Sequence, residues 1–399
     1  AALDDLIEYM TVDGVRVGVY DATNSTQDRR NYIISTLGKA GIHCKKLFIE
    51  SICDSQKILD ENIRKVKLGT LDYRDCDPEE AVKDFMERRE RYKEVYAEVS
   101  DADGSYLKII NSRKFIANNI RGYLPLKIVH FIMNLHTLPR TIYLSRHGQS
   151  EYNLLGKIGG DSGLSKAGLE YARRLATFCK NEICVEKNID ESTGEEQKNE
   201  VPARLWTSTL RRTKETAQFI ENGTLTHKWD NGEVAEWLQM RPRQRRNLDE
   251  LYAGGCDGLT YKEIEQQFPD EFNRRQKDKL AYRYPRGESY MDVILRLEPL
   301  AHEMERTREP ILIIGHQGIH RIIYAYFMGL SREEAPYVSI PLNTVIQLKP
   351  HAYGCDEKRV CLMDKTEMFG DGQDEPVTSM PVSNPEYAKD DPVMNAPSC

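Results

Sequence analysis

The chain has 399 residues, 40% hydrophobic and 30% charged, a balance that describes a soluble globular protein of about two domains. Its net charge of −7 gives no electrostatic footprint for nucleic acid. No apolar run reaches the roughly 18 residues of a membrane span, and no secretory signal opens the chain. Nucleic acid and membrane are therefore excluded as partners. Nine cysteines lie scattered without CxxC pairs or zinc spacing, which points to reduced thiols and a cytoplasmic protein. The opening AALDDLIEYM reads as mid-helix and has no initiator Met, so the chain is expected to be a piece of something longer.

In chain order, a helix pattern runs to about Met10. The run VRVGVY, Val15 to Tyr20, reads as a buried strand ending in Asp21. Helix signals follow, with Arg29 and Arg30 in the first turns and Gly41 near the stop. A second strand is expected from Lys46 to Glu50, ending near Cys53. This alternation predicts βαβ units and a parallel sheet over residues 1–137. Asp21 at a strand end suits either magnesium or an Asx cap on the next helix.

The run TIYLS, Thr141 to Ser145, is a strand candidate that stops at Arg146, His147 and Gly148. In parallel α/β sheets, ligands bind where strands hand over to loops at their carboxyl ends. There, Arg-His-Gly offers a cation, an imidazole and a glycine for close backbone approach. Alone, such a tripeptide is more often a surface feature than a site. Gly156 to Gly163 holds four glycines, either a cradle for a sugar phosphate or a turn-rich connection. An amphipathic helix is expected from Gly168 to Lys180. Residues 185–202 read as a solvated acidic loop.

Leu205 to Ser208 is a third short strand, followed by Arg211, Arg212 and the helix-like TKETAQFI. The polar stretch 226–247 ends in RPRQRR, more simply a solvated face than a dock for an anionic partner. The turn-rich NLDELYAGG carries Asp249 and Glu250, with Asp257 beyond. The stretch FNRRQKDKLAYRYPRGESY is dense in cations and tyrosines; stacking on nucleic acid is weighed against the acidic balance of the chain and rejected. PILIIG, Pro310 to Gly315, is a second buried-strand run and ends in His316 and Gln317. Two strand ends thus each present a histidine. The proline-rich stretch from Thr366 to Cys399 is expected to be disordered, with Thr378, Ser379 and Ser383 as candidate phosphorylation sites.

These three separated pieces, in this order, resemble the histidine phosphatase, or phosphoglycerate mutase-like, family. That resemblance implies that His147 takes a phosphoryl group within a cradle of Arg146, Arg212 and His316, with Asn153 adding a hydrogen bond. It implies that Glu250 is the general acid. The segments VYDATNSTQDRR, FIESICD, NIRKVKLGTLDY and FMERRERYKEVY resemble the kinase domain of the bifunctional 6-phosphofructo-2-kinase/fructose-2,6-bisphosphatase family, and the likeness runs through LPRTIYLSRHG to about residue 362. In that family Gly159, Tyr261, Arg275, Lys279, Tyr290, Gln317 and Arg321 would hold the fructose 6-phosphate half of the substrate. Asp21, Thr23, Arg29, Cys53, Lys67, Arg88 and Tyr92 would lie at kinase positions.

The fold implied is α/β with two doubly wound units. An incomplete P-loop-kinase-like sheet spans 1–137, a phosphoglycerate mutase-like phosphatase domain spans 138–365, and the tail spans 366–399. The implied reaction is hydrolysis of the 2-phosphate of fructose 2,6-bisphosphate through a phosphohistidine. The parent family also makes that compound from fructose 6-phosphate and ATP and so controls glycolysis and gluconeogenesis. Another histidine phosphatase or mutase, and a non-catalytic regulatory protein, are the competing readings. The partners implied are sugar phosphates, with a homodimer left open.

The phosphatase half needs no cofactor and no metal, whereas a complete kinase half uses ATP and magnesium. No GxxxxGK[ST] occurs in the chain, so no kinase activity is expected of it. The chain departs from the family at Gln149, where Glu is usual, and at Gly318 and His320.

Overall fold

An apolar run becomes a strand only where a neighbouring strand takes up its backbone groups, and this condition separates the expectations that hold from those that fail. The computed structural model describes residues 2–12, 14–15, 17–56, 59, 78–136, 138–189, 196–229, 232–351, 354–364 and 367. Lys67 and the candidate phosphorylation sites Thr378, Ser379 and Ser383 lie outside the described residues. The chain divides into two units, residues 1–137 and 138–399.

The first unit contains helices α1 (Ala2–Thr11), α2 (Gln27–Lys39), α3 (Pro78–Val95) and α4 (Tyr123–Asn134). Its sheet has the order β1 (Phe48–Ile52), β2 (Tyr106–Ile110), β3 (Lys114–Asn118). β1 and β2 are parallel, and β2 and β3 antiparallel. Thr26 caps α2 by accepting the Arg29 amide at 3.1 Å. Buried charges tie the helix to the sheet. Arg30, 1% exposed, donates from Nε to Asp103 Oδ1 at 2.7 Å and from its terminal nitrogens to the Ala97 and Glu98 carbonyls. Glu50 on β1 is buried and accepts from the Val99 amide at 3.0 Å and from the Tyr96 hydroxyl.

Two expectations for this unit are corrected. The strand expected at Lys46 to Glu50 runs instead from Phe48 to Ile52, where it finds β2. VRVGVY is not a buried strand: among the described residues no strand pairs with it, and Val19 is 83% exposed. A valine-rich sequence does not hold a strand without a ladder on at least one edge.

The second unit is built on a six-stranded sheet of order β10-β7-β11-β4-β12-β13. Its strands are β4 (Ile142–Arg146), β7 (Arg204–Thr207), β10 (Pro242–Gln244), β11 (Ile311–Gly315), β12 (Thr344–His351) and β13 (Gly354–Cys361). The pairs β10–β7, β7–β11 and β11–β4 are parallel, and β12 and β13 continue antiparallel. Helices α5 (Glu151–Leu154), α6 (Lys166–Phe178), α7 (Arg211–Ala217), α8 (Tyr261–Gln267), α9 (Pro269–Lys277), α10 (Tyr290–Arg306) and α11 (Gln317–Met328) complete the unit.

β4 and β11 are buried at every residue, which explains their unbroken apolar runs. Alternate side chains serve two cores. Ile142, Leu144, Ile311 and Ile313 pack with α10 and α11 residues such as Val293, Leu297 and Ile323. Tyr143, Leu312 and Ile314 pack with Tyr171 and Leu175 of α6. Helices therefore cover both faces, the doubly wound arrangement.

Residues 185–202 are not a plain loop: β5 (Val185–Ile189) and β6 (Glu196–Glu200) pair as an antiparallel hairpin. The sequence is polar because its described residues are mostly exposed, not because it lacks structure. Likewise 226–247 holds part of the hairpin β8 (Thr224–Lys228) and β9 (Val234–Leu238), and then the edge strand β10 with its leading Pro242. The helix expected at Gly168 begins at Lys166, capped by Ser165, which accepts the Gly168 amide at 3.1 Å.

Gly168 marks a close backbone crossing. A Cβ on it would overlap the Gln149 carbonyl, and a Cβ on Gly148 would meet the Gly168 carbonyl oxygen at 2.5 Å. Gly168→Ala should therefore destabilise the second unit by about 1–3 kcal/mol through overpacking. Gly38→Ala in α2, where nothing lies within 4 Å, should stabilise the first unit by about 0.5–1 kcal/mol. Denaturant titration of both variants checks the contrast, and a neutral Gly168→Ala would show that the crossing has slack.

Candidate active site

The parallel register of β4 and β11 pairs Arg146 with Gly315. The next residue on each strand is a histidine, so His147 and His316 emerge side by side at the carboxyl end of the sheet. The His147 amide donates to the Gly315 carbonyl at 3.0 Å, and the two ring centroids are 5.2 Å apart. On the far side of β11, Thr207 pairs with Ile314. The following residue, Ser208, brings its Oγ to 2.7 Å from His316 Nε2. Three adjacent strand ends thus deliver Ser208, His316 and His147.

His147 Nδ1 lies 2.8 Å from the Gly148 carbonyl. A carbonyl only accepts, so Nδ1 carries the proton and Nε2 keeps its lone pair. Burial, then Arg212 and Arg146, hold His147 well below the usual imidazole range. Burial, then Arg212 and His147, do the same to His316. Both rings are neutral near pH 7. Arg146 donates to the Ile340 carbonyl at 3.0 Å and Arg212 to the Gly160 carbonyl at 2.7 Å, and both guanidiniums are buried.

Of the three carboxylates, two are engaged in building loops. Asp249 accepts from the Thr209 amide at 2.7 Å and from the Thr209 hydroxyl. Asp257 accepts from the Gly160 amide at 3.0 Å and fills the space a side chain on Gly159 would need. Glu250 lies against the N-terminus of α11, accepting from Leu251 N at 2.9 Å and Gly318 N at 3.3 Å. A Cβ on Gly318 would come within 2.7 Å of its Oε1.

One cleft is lined by Arg146, His147, Asn153, Arg212 and Glu250, and also by Gly159, Tyr261, Arg275, Lys279, Tyr290, Gln317 and Arg321. Asn153 lines it with Oδ1 already taken by Ser150. At the second end of the residue set, three cations are buried together. Arg275 lies over the Tyr261 and Tyr284 rings at 5.2 and 5.7 Å. Burial opposes its charge, but Tyr261 and Tyr284 keep it above its ordinary range. Lys279 donates to the Pro336 carbonyl at 2.8 Å and Arg321 to the Val338 carbonyl at 2.8 Å. Burial, then Arg321 and Arg275, push Lys279 well below its ordinary range. Such crowding of cations awaits an anion.

Reading residue types missed Ser208, Tyr284 and Thr216, which receives the Gly148 amide at 2.9 Å. Ser208 was within reach of the strand-end rule, since it follows β7 as His147 follows β4. His320 is a packing residue: it is fully buried, with Nε2 2.9 Å from the Ser145 carbonyl. Gln149 is buried and accepts from Ser165 Oγ at 2.6 Å, a position where the neutral amide avoids burying a carboxylate. In the first unit, Asp21, Thr23, Arg29, Arg88 and Tyr92 are exposed, and Cys53 is half-buried just after β1. Arg29 donates to the Tyr20 hydroxyl at 2.9 Å, and Arg88 pairs with Asp84 at 3.5 Å.

Three buried imidazoles leave a pH signature. His147 and His316 lie well below the ordinary imidazole range and His320 falls to about 4, whereas unfolded histidine titrates near 6.5. As pH drops below about 6.5, the unfolded chain binds protons that the folded chain refuses, so stability falls. The slope should approach roughly 4 kcal/mol per pH unit once all three are protonated on unfolding. All three tryptophans, Trp206, Trp229 and Trp237, belong to the second unit, so fluorescence-monitored urea unfolding between pH 7.5 and 5 reads it alone. A flat stability profile would mean that these rings are protonated in the fold.

A family model for 6-phosphofructo-2-kinase matches residues 1–139, and one for the histidine phosphatase superfamily (branch 1) matches residues 142–186 and 191–362. Three similar proteins each carry the name 6-phosphofructo-2-kinase/fructose-2,6-bisphosphatase. The Gallus gallus protein is 42% identical over 366 residues, 91% of this chain and 70% of its own length. The Arabidopsis thaliana protein is 43% identical over 370 residues, 91% of this chain and 45% of its own length. The Aquarana catesbeiana protein is 39% identical over 394 residues, 98% of this chain and 75% of its own length. With both family models in sequence and identity at this level along nearly its whole length, the chain belongs to the 6-phosphofructo-2-kinase/fructose-2,6-bisphosphatase family.

Proposed function

We propose that the second unit hydrolyses the 2-phosphate of fructose 2,6-bisphosphate to fructose 6-phosphate and phosphate through a phosphohistidine at His147. The observation that carries this reading is two buried cation groups in one cleft. One surrounds a neutral imidazole, and the other, Arg275, Lys279 and Arg321, contains no histidine. A bisphosphate with one reacting and one non-reacting phosphate fits that division.

His147 Nε2 attacks the phosphorus of the 2-phosphate, forming the N–P bond as the P–O bond to the sugar breaks. Arg146, Arg212 and His316 stabilise the equatorial oxygens, as a cationic clamp does for a loose phosphoryl transition state. Asn153 adds a hydrogen bond. Glu250 gives its proton to the departing sugar oxygen. It then takes a proton from water, whose oxygen attacks the phosphohistidine and releases phosphate. Each proton transfer contributes about 10²–10⁴-fold in rate. Arg275, Lys279 and Arg321 hold the 6-phosphate, with Tyr261, Tyr290, Gln317 and Gly159 around the sugar. Arg275 brings the planar fork that pairs two phosphate oxygens.

The relatives' name also includes a kinase, whose chemistry uses ATP and magnesium. The residues present do not fit that group: the chain holds no GxxxxGK[ST] loop, and Asp21 and Thr23 stand exposed.

Two measurements test the assignment. His147→Ala should lose turnover and the acid-labile phosphoenzyme trapped by acid quench with radiolabelled substrate. Label retained at the wild-type level would remove His147 from the role. Arg275→Ala, Lys279→Ala and Arg321→Ala should each raise KM more than they lower kcat, because a non-reacting phosphate is held equally in ground and transition states. Steady-state kinetics with an unchanged KM would move the sugar-phosphate site elsewhere.

A further inference from the structure

His316 is held by the Ser208 hydroxyl, itself bonded to the Thr213 hydroxyl, and these hydrogen bonds have one consistent assignment. Thr213 Oγ1 lies 2.9 Å from the Leu210 carbonyl, 3.2 Å from the Ser208 carbonyl and 2.8 Å from Ser208 Oγ. Carbonyls only accept, so the single hydroxyl proton of Thr213 belongs to a carbonyl, the Leu210 oxygen being nearer. Thr213 Oγ1 then accepts from Ser208 Oγ. The two lone pairs of Ser208 Oγ receive the Leu210 amide at 3.2 Å and His316 Nε2 at 2.7 Å. In the reverse orientation both carbonyls would face a hydroxyl oxygen with no proton between. His316 is therefore the Nε2–H tautomer. Its Nδ1 is a bare lone pair, buried and without a hydrogen-bond partner among the described residues.

The His316 ring lies 5.2 Å from that of His147, and there a lone pair repels an anion oxygen whereas an N–H attracts it. We propose that the Ser208–Thr213 relay fixes His316 as the Nε2–H tautomer, so that a tetrahedral dianion between the two histidines binds together with one proton, taken from solvent, on His316 Nδ1. This rests on the reading of the cleft as a phosphoryl site. The groups facing His316 are Arg146 at the end of β4 and His147 just after it, Arg212 on α7 and His320 on α11. Glu250 lies close by, on the Gly318 amide. The cations oppose the proton in the empty cleft, and the dianion reverses that balance. The proton returns to solvent when phosphate leaves. Ser208 is a positioning residue here: it acts on substrate through His316.

The test uses the intact chain labelled with ¹⁵N-histidine and sulfate as probe, since sulfate is a tetrahedral dianion with no proton of its own near neutral pH. Long-range ¹H–¹⁵N spectra, with His316 assigned through His316→Gln, should show a neutral Nε2–H ring without sulfate and an imidazolium at saturation. Ser208→Ala should lose the fixed tautomer, lower kcat/KM by about tenfold, the scale for removing an outer partner of a functional histidine, and move the basic limb of its pH profile to lower pH. Ser208→Thr should restore all three. An Nδ1–H tautomer without sulfate, a neutral ring at saturation, or a Ser208→Ala variant identical to wild type would each overturn the proposal. If Ser208→Ala does not fold, the wild-type spectra decide. The tautomer without sulfate does not depend on which ester is hydrolysed. An absence of turnover on fructose 2,6-bisphosphate with the tautomer as expected would therefore count against the function alone.

Discussion

The site depends on the register of one strand pair. Because Arg146 lies opposite Gly315, the residues that follow are brought together as His147 and His316. A slip of one residue would turn every side chain of the strand to the other face and part the two rings. That register is enforced on both sides of the sheet, by Ile142, Leu144, Ile311 and Ile313 in one core and Tyr143, Leu312 and Ile314 in the other. The fold thus spends its best-packed region on fixing where two imidazoles emerge.

The second constraint is how the cleft holds charge. Arg146, Arg212, Lys279 and Arg321 each donate to a backbone carbonyl, from Ile340, Gly160, Pro336 and Val338 respectively. A carbonyl orients a cation without cancelling its charge. Burial, with Arg212 and Arg146 beside it, keeps His147 unprotonated and ready as a nucleophile, and burial, with Arg321 and Arg275, pushes Lys279 below its ordinary range. Orientation is settled before the ligand binds, so little reorganisation is left for the reaction itself. Glu250 is handled differently: backbone amides at the start of α11 and at Leu251 hold its carboxylate, and the missing side chain of Gly318 makes the room.

Much of this was legible in the chain. TIYLS and PILIIG read as strands because both faces are buried, and the histidines stand out because they end those runs. The resemblance singles out Glu250 from Asp249 and Asp257, and in the structure those two accept from Thr209 and Gly160. Ser208 carries no chemical signature in sequence; its role comes from β7 lying next to β11. VRVGVY misled for the opposite reason: its composition favours a strand, but pairing decides. Residues 185–202 misled because an exposed hairpin has the polar composition of a loop. His320 stood out only as a departure from the family pattern, and its burial against Ser145 follows from the packing of α11 on the sheet.

The central claim is that the phosphoryl group passes through His147 and is not handed directly to water. Stereochemistry at phosphorus tests it most directly. Two in-line displacements, one by His147 Nε2 and one by water, each invert the phosphorus, so a 2-phosphorothioyl group made chiral with ¹⁶O and ¹⁸O should be released into ¹⁷O-water as chiral thiophosphate with net retention. Net inversion would mean a single displacement by water, and the paired histidines would then have to be read as a phosphate-binding cradle without a nucleophile.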